Sequence, residues 1–246
     1  MAVAIITGGS RGIGAASAPL LAAAGLDICL SYRADEGAAV AVVADCARHG
    51  VKAVAVRADV SREPDVLALF IAADGLGPLQ VLVNNAGITG PKARVDQLTA
   101  ERIEEMLAVN VLGSFLCARE AVRRMSTANG GTGGVIVNVS SAAARLGSPG
   151  EYVDYAATKG AIDTMTVGLS KEVAREGIRV NAVRPGLIKT QIHASAGQPD
   201  RVDERRDSVP LGRGGEALEV AQAIAWLSSD EASYVTGALL DVSGGR

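Results

Sequence analysis

The sequence predicts an α/β fold in which helices cover both faces of a parallel β-sheet. Apolar residues make up 48% of the 246 residues and aromatic residues only 3%, so Ala, Val, Ile and Leu supply the core. Such small or branched side chains suit parallel strands that are buried on both faces. Apolar runs of strand length also alternate with helical segments, as expected for repeated strand–helix–strand units.

Seven apolar runs are predicted to be the strands of this sheet, at residues 2–7, 27–32, 51–56, 79–83, 135–139, 178–183 and 238–242. Helices are predicted between them, and the longest spans residues 99–125. Because no repeat or second unit is visible, residues 1–246 are expected to form a single domain. The stretch 190–215 is polar, charged and weakly periodic, which is typical of a substrate lid.

Charge and cysteine content exclude several classes of protein. The net charge is −3 without a long run of one sign, which argues against nucleic acid or an anionic membrane as the main partner. Cys29, Cys46 and Cys117 are scattered in apolar sequence and are predicted to be free core thiols of a cytoplasmic protein. With His49 and His193 the only histidines, neither a metal centre nor a Ser-His-Asp triad is expected. No signal peptide is visible, and no apolar run approaches the ~18 residues of a membrane span.

A glycine-rich turn at residues 8–14 follows the first predicted strand directly and opens a helix. Glycines let the backbone approach a pyrophosphate, and the amino end of a helix offers free N–H groups and a positive dipole end. Similar turns also close ordinary strand–helix units. The position of this turn after the first strand favours a dinucleotide site.

The end of the second predicted strand indicates which dinucleotide binds. An acidic residue there accepts a hydrogen bond from the ribose 2′-hydroxyl of NAD, whereas an arginine accommodates the 2′-phosphate of NADP. Arg33 stands at this point without a carboxylate, and Arg11 lies in the glycine turn. NADP is therefore predicted in preference to NAD. Asp35 and Glu36 follow Arg33 and could weaken the preference for NADP. In the alternative interpretation, Arg11 and Arg33 are solvated surface charges that do not bind the cofactor.

Polar residues follow the third and fourth predicted strands. Asp59 is placed to accept a hydrogen bond from adenine, or to cap the next helix. The Asn-Asn-Ala-Gly sequence at 84–87 ends the fourth strand, in the crevice where such sheets bind ligands. Asn110 lies within an apolar part of the longest helix, so its amide needs buried partners and the helix is expected to be distorted there.

Tyr155 and Lys159 indicate the chemistry. If their segment is helical, the two side chains lie on one face, one turn apart. A nearby ammonium group favours the phenolate, so the pKa of Tyr155 is expected to fall from about 10 toward the working pH. A phenol of this kind acts as a general acid or base. Seen alone, such a pair is far more often a surface tyrosine beside a solvated lysine, so the surrounding motifs decide the interpretation.

The complete set of motifs resembles the short-chain dehydrogenase/reductase family, in order and spacing from Val3 to Gly245. The motifs are Thr7-Gly8-x-x-x-Gly12-x-Gly14, Asn84-Asn85-Ala86-Gly87, Asn110, Ser141, Tyr155-x-x-x-Lys159 and Pro185-Gly186…Thr190. This resemblance implies a single Rossmann-type, doubly wound domain with a seven-stranded parallel sheet in the order 3-2-1-4-5-6-7. Within the family, the chain looks most similar to the bacterial 3-oxoacyl-carrier-protein reductase and glucose-1-dehydrogenase-like branch.

The resemblance also implies roles for individual residues. Ser141 would bind the substrate oxygen, Tyr155 would transfer the proton, Lys159 would tune Tyr155 and hold the nicotinamide ribose, and Asn110 would keep a water beside Lys159. Ser140 is a rival for the serine role, because the spacing from Ser141 to Tyr155 is one residue longer than in many members. The implied cofactor-binding residues are Gly8, Ser10, Arg11, Gly12, Ile13, Gly14, Arg33, Asp59, Val60, Asn85, Ala86, Gly87, Tyr155, Lys159, Pro185, Gly186, Ile188 and Thr190.

The predicted function is hydride transfer between NADP(H) and a carbonyl/alcohol pair, and the alternative is a non-catalytic, dinucleotide-binding regulatory protein. An aldehyde, a ketone, a sugar and an acyl thioester all remain possible substrates. Arg201, Arg205 and Arg206 in the lid could bind an anionic carrier, but four acidic residues of the lid offset them, so solvated surface is the favoured interpretation. The resemblance to this branch also implies a homotetramer, with the helix before the fifth strand and the Tyr-Lys helix packed between subunits.

Overall fold

The computed structural model describes residues 1–246, except the side chain of His193. Seven strands form one parallel sheet: β1 (Val3–Ile6), β2 (Asp27–Tyr32), β3 (Ala53–Arg57), β4 (Leu79–Asn84), β5 (Gly134–Val139), β6 (Ile178–Pro185) and β7 (Leu239–Val242). Their order is β3-β2-β1-β4-β5-β6-β7, which confirms the predicted doubly wound, Rossmann-type sheet. The order reverses between β1 and β4, and ligands of such sheets bind at the carboxyl ends of the strands beside that point.

Helices cover both faces of the sheet. One layer consists of α1 (Gly12–Ala23), α2 (Glu36–Ala47) and α10 (Ala217–Ser228). The opposite layer consists of α3 (Glu63–Asp74), α4 (Ala100–Leu107), α5 (Gly113–Met125) and α7 (Val153–Val173). Three short helices, α6 (Ala143–Leu146), α8 (Gln191–Ser195) and α9 (Arg201–Glu204), lie in the loops after β5 and β6.

Alternate residues of the strands serve the two layers. In β1, Ala4 and Ile6 belong to the core under α1 and α10, whereas Val3 and Ile5 belong to the core under α3 and α5. All four side chains are inaccessible to solvent. Burial on both faces explains why the strands are continuous apolar runs rather than alternating ones.

The predicted helix 99–125 is interrupted by a π-helical turn at Ala108–Leu112, which separates α4 from α5. Asn110 lies in this turn and is 1% exposed. A π turn adds a residue to one turn of the helix and is frequent at functional sites. The local distortion predicted around the buried amide is confirmed.

The segment 190–215 is more regular than its sequence suggested. It contains α8, α9 and a 3₁₀ turn at Arg206–Ser208, and its base is closed where Ile188–Lys189 pairs with Gly215–Glu216. Val202 and Val209 are buried against Leu187 in a small separate core. Helices of four or five residues are too short to show a periodic pattern in sequence, so α8 and α9 were not predicted.

The three cysteines are free and buried, as predicted. Burial raises the pKa of Cys29 and Cys117 to about 12 and that of Cys46 to about 11, so the thiolate is not populated at neutral pH. None of the helices in the described part of the chain is both long and apolar enough to cross a bilayer.

Candidate active site

A cleft of about 870 Å³ opens at the carboxyl ends of the strands. Residues that directly follow β1 to β5, together with the end of β6, line it, because parallel strands deliver their carboxyl ends to one edge. Of the predicted cofactor-binding and catalytic residues, all line this cleft except Gly14 and Asn110. The structure therefore brings together in one place motifs that are spread over most of the chain.

The glycine turn has the shape that a phosphate requires. Gly8 and Gly12 have φ values of +62° and +55°, which other residues rarely adopt. A Cβ atom on Gly14 would lie 2.6 Å from Asn85 Nδ2 and 2.7 Å from the Gly8 carbonyl oxygen. Gly14 thus allows α1 to pack against the turn, which is why it is needed although it does not line the cleft.

The amino end of α1 is free to bind an anion. Arg11 occupies the N-cap position without a capping side-chain hydrogen bond, and the first turn carries no acidic residue. The N–H groups and the positive end of the helix dipole therefore face the cleft without an internal partner. Together with the glycine turn, this arrangement fits the pyrophosphate of a dinucleotide.

Asn85 holds the turn in place rather than presenting a free amide to the cleft. Its Nδ2 atom donates to the carbonyl oxygens of Thr7 and Gly8 at 2.8 and 3.0 Å. The Thr7 hydroxyl in turn accepts from the backbone N–H groups of Asn85 and Ala86, each at 3.0 Å. These bonds join the ends of β1 and β4, the two strands that flank the switch point.

Arg11 and Arg33 lie exposed at the end of the cleft next to β2. Asp35, the carboxylate that could weaken the NADP preference, caps α2, because its Oδ1 atom accepts from the Ala38 N–H at 2.9 Å. Asp59 accepts from both the N–H and the hydroxyl of Ser61. Burial opposes ionisation, but the hydrogen bonds from Ser61 and the charge of Arg33 lower the pKa of Asp59 below its usual range.

Ser141 and Tyr155 both line the cleft, and the Ser141 hydroxyl is close enough to the phenol to act on its pKa. Ser141 Oγ also accepts from the Ala143 N–H at 3.1 Å, so its own hydrogen stays available for donation. Ser140 is 2% exposed, and its hydroxyl donates to the Lys159 carbonyl oxygen at 3.1 Å. The structure thus places Ser141 beside the phenol and uses Ser140 to attach β5 to α7.

Lys159 is buried and its Nζ atom donates to the Val139 carbonyl oxygen at 2.8 Å. It lies 5.6 Å from the centre of the Tyr155 ring. Burial lowers the pKa of Lys159 to about 8, although the nearby Asp163 carboxylate opposes this.

The pKa of Tyr155 differs from the expectation. Burial raises it to about 12, and only the hydrogen bond with Ser141 opposes the rise. The expected fall toward neutral pH was wrong for this geometry, because Lys159 directs a hydrogen bond to Val139 and desolvation of the phenolate dominates. At neutral pH the phenol is protonated.

Asn110 is buried and does not line the cleft, but it binds residues that do or that lie next to them. Its Oδ1 atom accepts from the Ile88 N–H at 2.8 Å, and its Nδ2 atom donates to the Ile88 carbonyl oxygen at 3.0 Å and to Thr158 Oγ1 at 3.1 Å. These bonds tie the loop after β4 to the turn of α7 that carries Lys159. Asn110 therefore positions that loop and that helix relative to each other.

The opposite end of the cleft contains residues that were not among the predicted catalytic and cofactor-binding residues. Glu151, Tyr152, Arg201 and Arg205 line it, and Arg201 is only 7% exposed. Interpreting Arg201 and Arg205 as solvated lid surface was wrong, whereas Arg206 is exposed as expected. The available sequence signal was the group of three arginines at 201, 205 and 206.

The strand order, the uncapped helix beside the glycine turn and the Tyr–Lys pair at the switch point define a Rossmann-type, dinucleotide-binding protein. A family model described as Enoyl-(Acyl carrier protein) reductase matches residues 8–246. The chain belongs to the short-chain dehydrogenase/reductase family, whose members use NAD(P)(H), and it is an oxidoreductase of that family.

Three similar proteins illustrate the range of the family. The chain is 58% identical to "Uncharacterized oxidoreductase YgfF" of Escherichia coli K12, over 100% of both chains. It is 38% identical to "Glucose 1-dehydrogenase 2" of Bacillus subtilis 168, over 98% of this chain and 93% of that protein. A solved 3-ketoacyl-(acyl-carrier-protein) reductase from Brucella melitensis, complexed with NADH, superposes with a TM-score of 0.91 at 35% identity, over 100% and 98% of the two chains. These names confirm the predicted branch of the family.

Proposed function

We propose that the protein is an NADP(H)-dependent oxidoreductase that interconverts a carbonyl and an alcohol. The observation that carries the proposal is the meeting of Ser141, Tyr155 and Lys159 in the cleft that also contains the glycine turn. When bound, the nicotinamide cofactor would supply or accept the hydride. In this proposal residues 1–246 form a single domain, and residues 190–215 form a lid whose short helices line the substrate end.

Each of the three side chains has an available role. The Ser141 hydrogen can be donated to the substrate oxygen, which stabilises negative charge as it develops there. Tyr155, protonated at neutral pH, donates its proton to that oxygen in the direction of reduction. The Lys159 ammonium group has three N–H donors, and one of them binds the Val139 carbonyl oxygen. The other two are available to bind a ribose hydroxyl and to return a proton to Tyr155.

The cofactor itself would be held by residues of the first half of the chain and of the loop after β6. The pyrophosphate would lie on the turn from Gly8 to Gly14, the adenine near Asp59 and Val60, and the nicotinamide near residues 185–190. Asn85, Ala86 and Gly87 would line the channel between the two ends.

The reaction class is tested with a panel of aldehydes, ketones, sugars and acyl thioesters, in which turnover is followed by NADPH absorbance. We expect at least one class to be reduced, with one NADPH consumed for each carbonyl. A protein that binds NADPH tightly but reduces none of the panel would instead be a regulatory dinucleotide-binding protein.

NADP preference is expected to depend on Arg33. Replacing it with Ala removes a cation from the end of the cleft next to β2, so the NADPH/NADH ratio of kcat/KM should fall by about 10-fold, the effect of one charged hydrogen bond. Arg48→Ala is the matched control, because Arg48 is exposed at the end of α2 and pairs with Asp45. Equal use of NADPH and NADH by the parent chain would contradict the predicted preference. NADH is a realistic competitor, because the similar Brucella protein was solved with NADH.

A homotetramer is part of the proposal. Phe115, one of two phenylalanines, is 51% exposed on α5, and Ile103, Leu107 and Leu112 are exposed nearby on α4 and the π turn. Val153 adds an exposed apolar residue at the start of α7. The exposed apolar residues on the two helices expected at the subunit contact favour a second copy as partner.

Phe115→Glu is expected to reduce the tetramer to smaller species, because a buried, unpaired carboxylate is unfavourable in an apolar interface. Size-exclusion chromatography with light scattering measures the mass. Val40→Glu, at a 56% exposed site on α2 in the opposite layer, should leave the mass unchanged. A parent chain that elutes as a monomer would contradict the proposal.

A further inference from the structure

The end of the cleft beyond Tyr155 is strongly cationic. Arg201, Arg205 and Arg246 all line it, and they come from the lid and from the last residue of the chain. Glu151 is the carboxylate that faces them. The four acidic lid residues that seemed to offset the arginines, Asp200, Asp203, Glu204 and Asp207, are exposed and do not line the cleft.

Arg201 is the most buried arginine of this cationic end, and several contacts hold it in place. Its guanidinium lies 4.9 Å from the centre of the Tyr152 ring, and it donates to Glu151 Oε2 at 2.7 Å and to Gln198 Oε1 at 3.1 Å. A buried arginine with this many partners is held in one position. It has little capacity left for a ligand.

Both carboxylate oxygens of Glu151 already have cationic partners. One of its oxygens binds Arg201, and the other binds Arg205 and lies 3.5 Å from Lys92. Burial opposes ionisation of Glu151, but the bonds and charges of these cations lower its pKa below the usual range. A single negative charge therefore balances one of several positive charges.

Arg246 is the third cation, and Glu151 does not form an ion pair with it. Its backbone carbonyl oxygen accepts from Arg145 Nη2 at 2.6 Å and from Ser243 Oγ at 2.7 Å, which fixes the residue beside the cleft. Its guanidinium makes no hydrogen bond or ion pair to the described side chains of the chain. Burial, followed by the charges of Arg205 and Arg201, lowers the pKa of Arg246 from its ordinary value, although the Glu151 carboxylate opposes this. Half-buried positive charges that outnumber the nearby carboxylate create a site for an anion.

We propose that the substrate carries an anionic group, a carboxylate or a phosphate, that binds Arg205 and Arg246 while its carbonyl lies at Ser141 and Tyr155. The inference rests on the proposed function, because it names the class of substrate for the same cleft. Glu151, which binds Arg205, precedes Tyr155 by four residues, so the Cα atoms of Glu151 and Tyr155 are at most about 14 Å apart. Leu146 and Pro149 are apolar residues that line the same cleft. The substrate is thus a short oxo acid or oxo phosphate.

Matched probes separate charge from shape. 4-Formylbenzoate and its methyl ester differ in one negative charge, and 4-formylphenyl phosphate tests the phosphate alternative. Reduction of each consumes one NADPH and one proton and yields the alcohol. We expect kcat/KM for one of the two anions to exceed that for the ester by about 10- to 100-fold, chiefly through a lower KM.

The arginines are tested by substitution. Arg205→Gln and Arg246→Gln should each reduce the anion/ester ratio by about 10-fold, and Arg246→Lys should restore part of it, because the charge is kept. Arg206→Gln is the matched control, since Arg206 is exposed in the same segment and does not line the cleft. An ester reduced as well as both anions, or ratios unchanged in both Gln variants, would overturn the proposal.

Calorimetry with terephthalate, which has the carboxylate but no reducible carbonyl, tests the site independently of turnover. Binding to the parent chain that weakens in Arg246→Gln supports the anion site even if no aldehyde is reduced, a result that would count against the proposed function alone. Absence of binding to the parent chain, with or without NADPH, overturns the anion site.

Discussion

The Tyr155→Phe variant is expected to lose about 10²- to 10⁴-fold in kcat for carbonyl reduction, the usual contribution of a positioned proton donor. Phe keeps the ring but removes the proton, while the glycine turn and Arg33 that would hold the cofactor lie elsewhere in the cleft. NADPH affinity, measured by fluorescence titration, should therefore change little. Turnover is measured by NADPH absorbance on the best substrate of the panel.

The control for this variant is Tyr234→Phe, because Tyr234 is fully exposed and does not line the cleft. Its kcat should equal that of the parent chain. An unchanged kcat in Tyr155→Phe would show that another group transfers the proton. Loss of NADPH binding together with turnover would show that the hydroxyl serves the cofactor rather than the substrate.

The second large effect is expected from Lys159→Met, with kcat/KM reduced about 10²- to 10³-fold, as when a preorganised donor is removed from an active site. Unlike Tyr155→Phe, this variant should also bind NADPH more weakly, because Lys159 is proposed to hold the ribose. The combination of weaker cofactor binding and slower turnover distinguishes the two roles.

The pH profile gives an independent test of Lys159. Burial lowers its pKa from 10.5 to about 8, so the ammonium is present below pH 8 and is lost above it. Reduction by the parent chain should therefore decline as the pH rises through 8, and this decline should be absent in the Met variant. Tyr155, with a pKa of about 12, stays protonated throughout this range.

The lowered pKa of Lys159 predicts how the Lys159→Met substitution changes the stability of the fold. The native pKa lies below the unfolded one, so the buried ammonium destabilises the fold at neutral pH, and this cost decreases as the pH rises from 8 to 10.5. Removing the charge should not lower the unfolding temperature at pH 7. Lys171→Met, at an exposed site on the same helix, is the control for kcat and for the pH profile. A pH decline retained in Lys159→Met would contradict the assignment.

Much of the fold could be predicted from sequence because it depends on local patterns. Each predicted strand overlaps an observed one, with ends that differ by no more than two residues. The distortion at Asn110 was also predictable, because one amide in an apolar helical stretch must find buried partners. The short helices α8 and α9 were not predictable, since helices of four or five residues leave no periodic signal.

Some features of the candidate site could likewise be predicted from the sequence, and others could not. The positions of the glycine turn, Ser141, Tyr155 and Lys159 follow from motif spacing, and the parallel sheet brings them to one cleft. The pKa of Tyr155 and the burial of Arg201 do not follow from spacing. The first depends on whether Lys159 turns toward the phenol or toward Val139. The second depends on Glu151, fifty residues earlier in the chain.

The sequence by itself determined the element order, the dinucleotide site and the Tyr–Lys pair, because strand and helix periods and glycine turns are properties of neighbouring residues. Only the tertiary structure decided that Ser141 rather than Ser140 lies beside Tyr155, that burial raises the pKa of Tyr155, and that Arg201 and Arg205 line the cleft. These outcomes depend on desolvation and on contacts between distant segments, and both are set by packing.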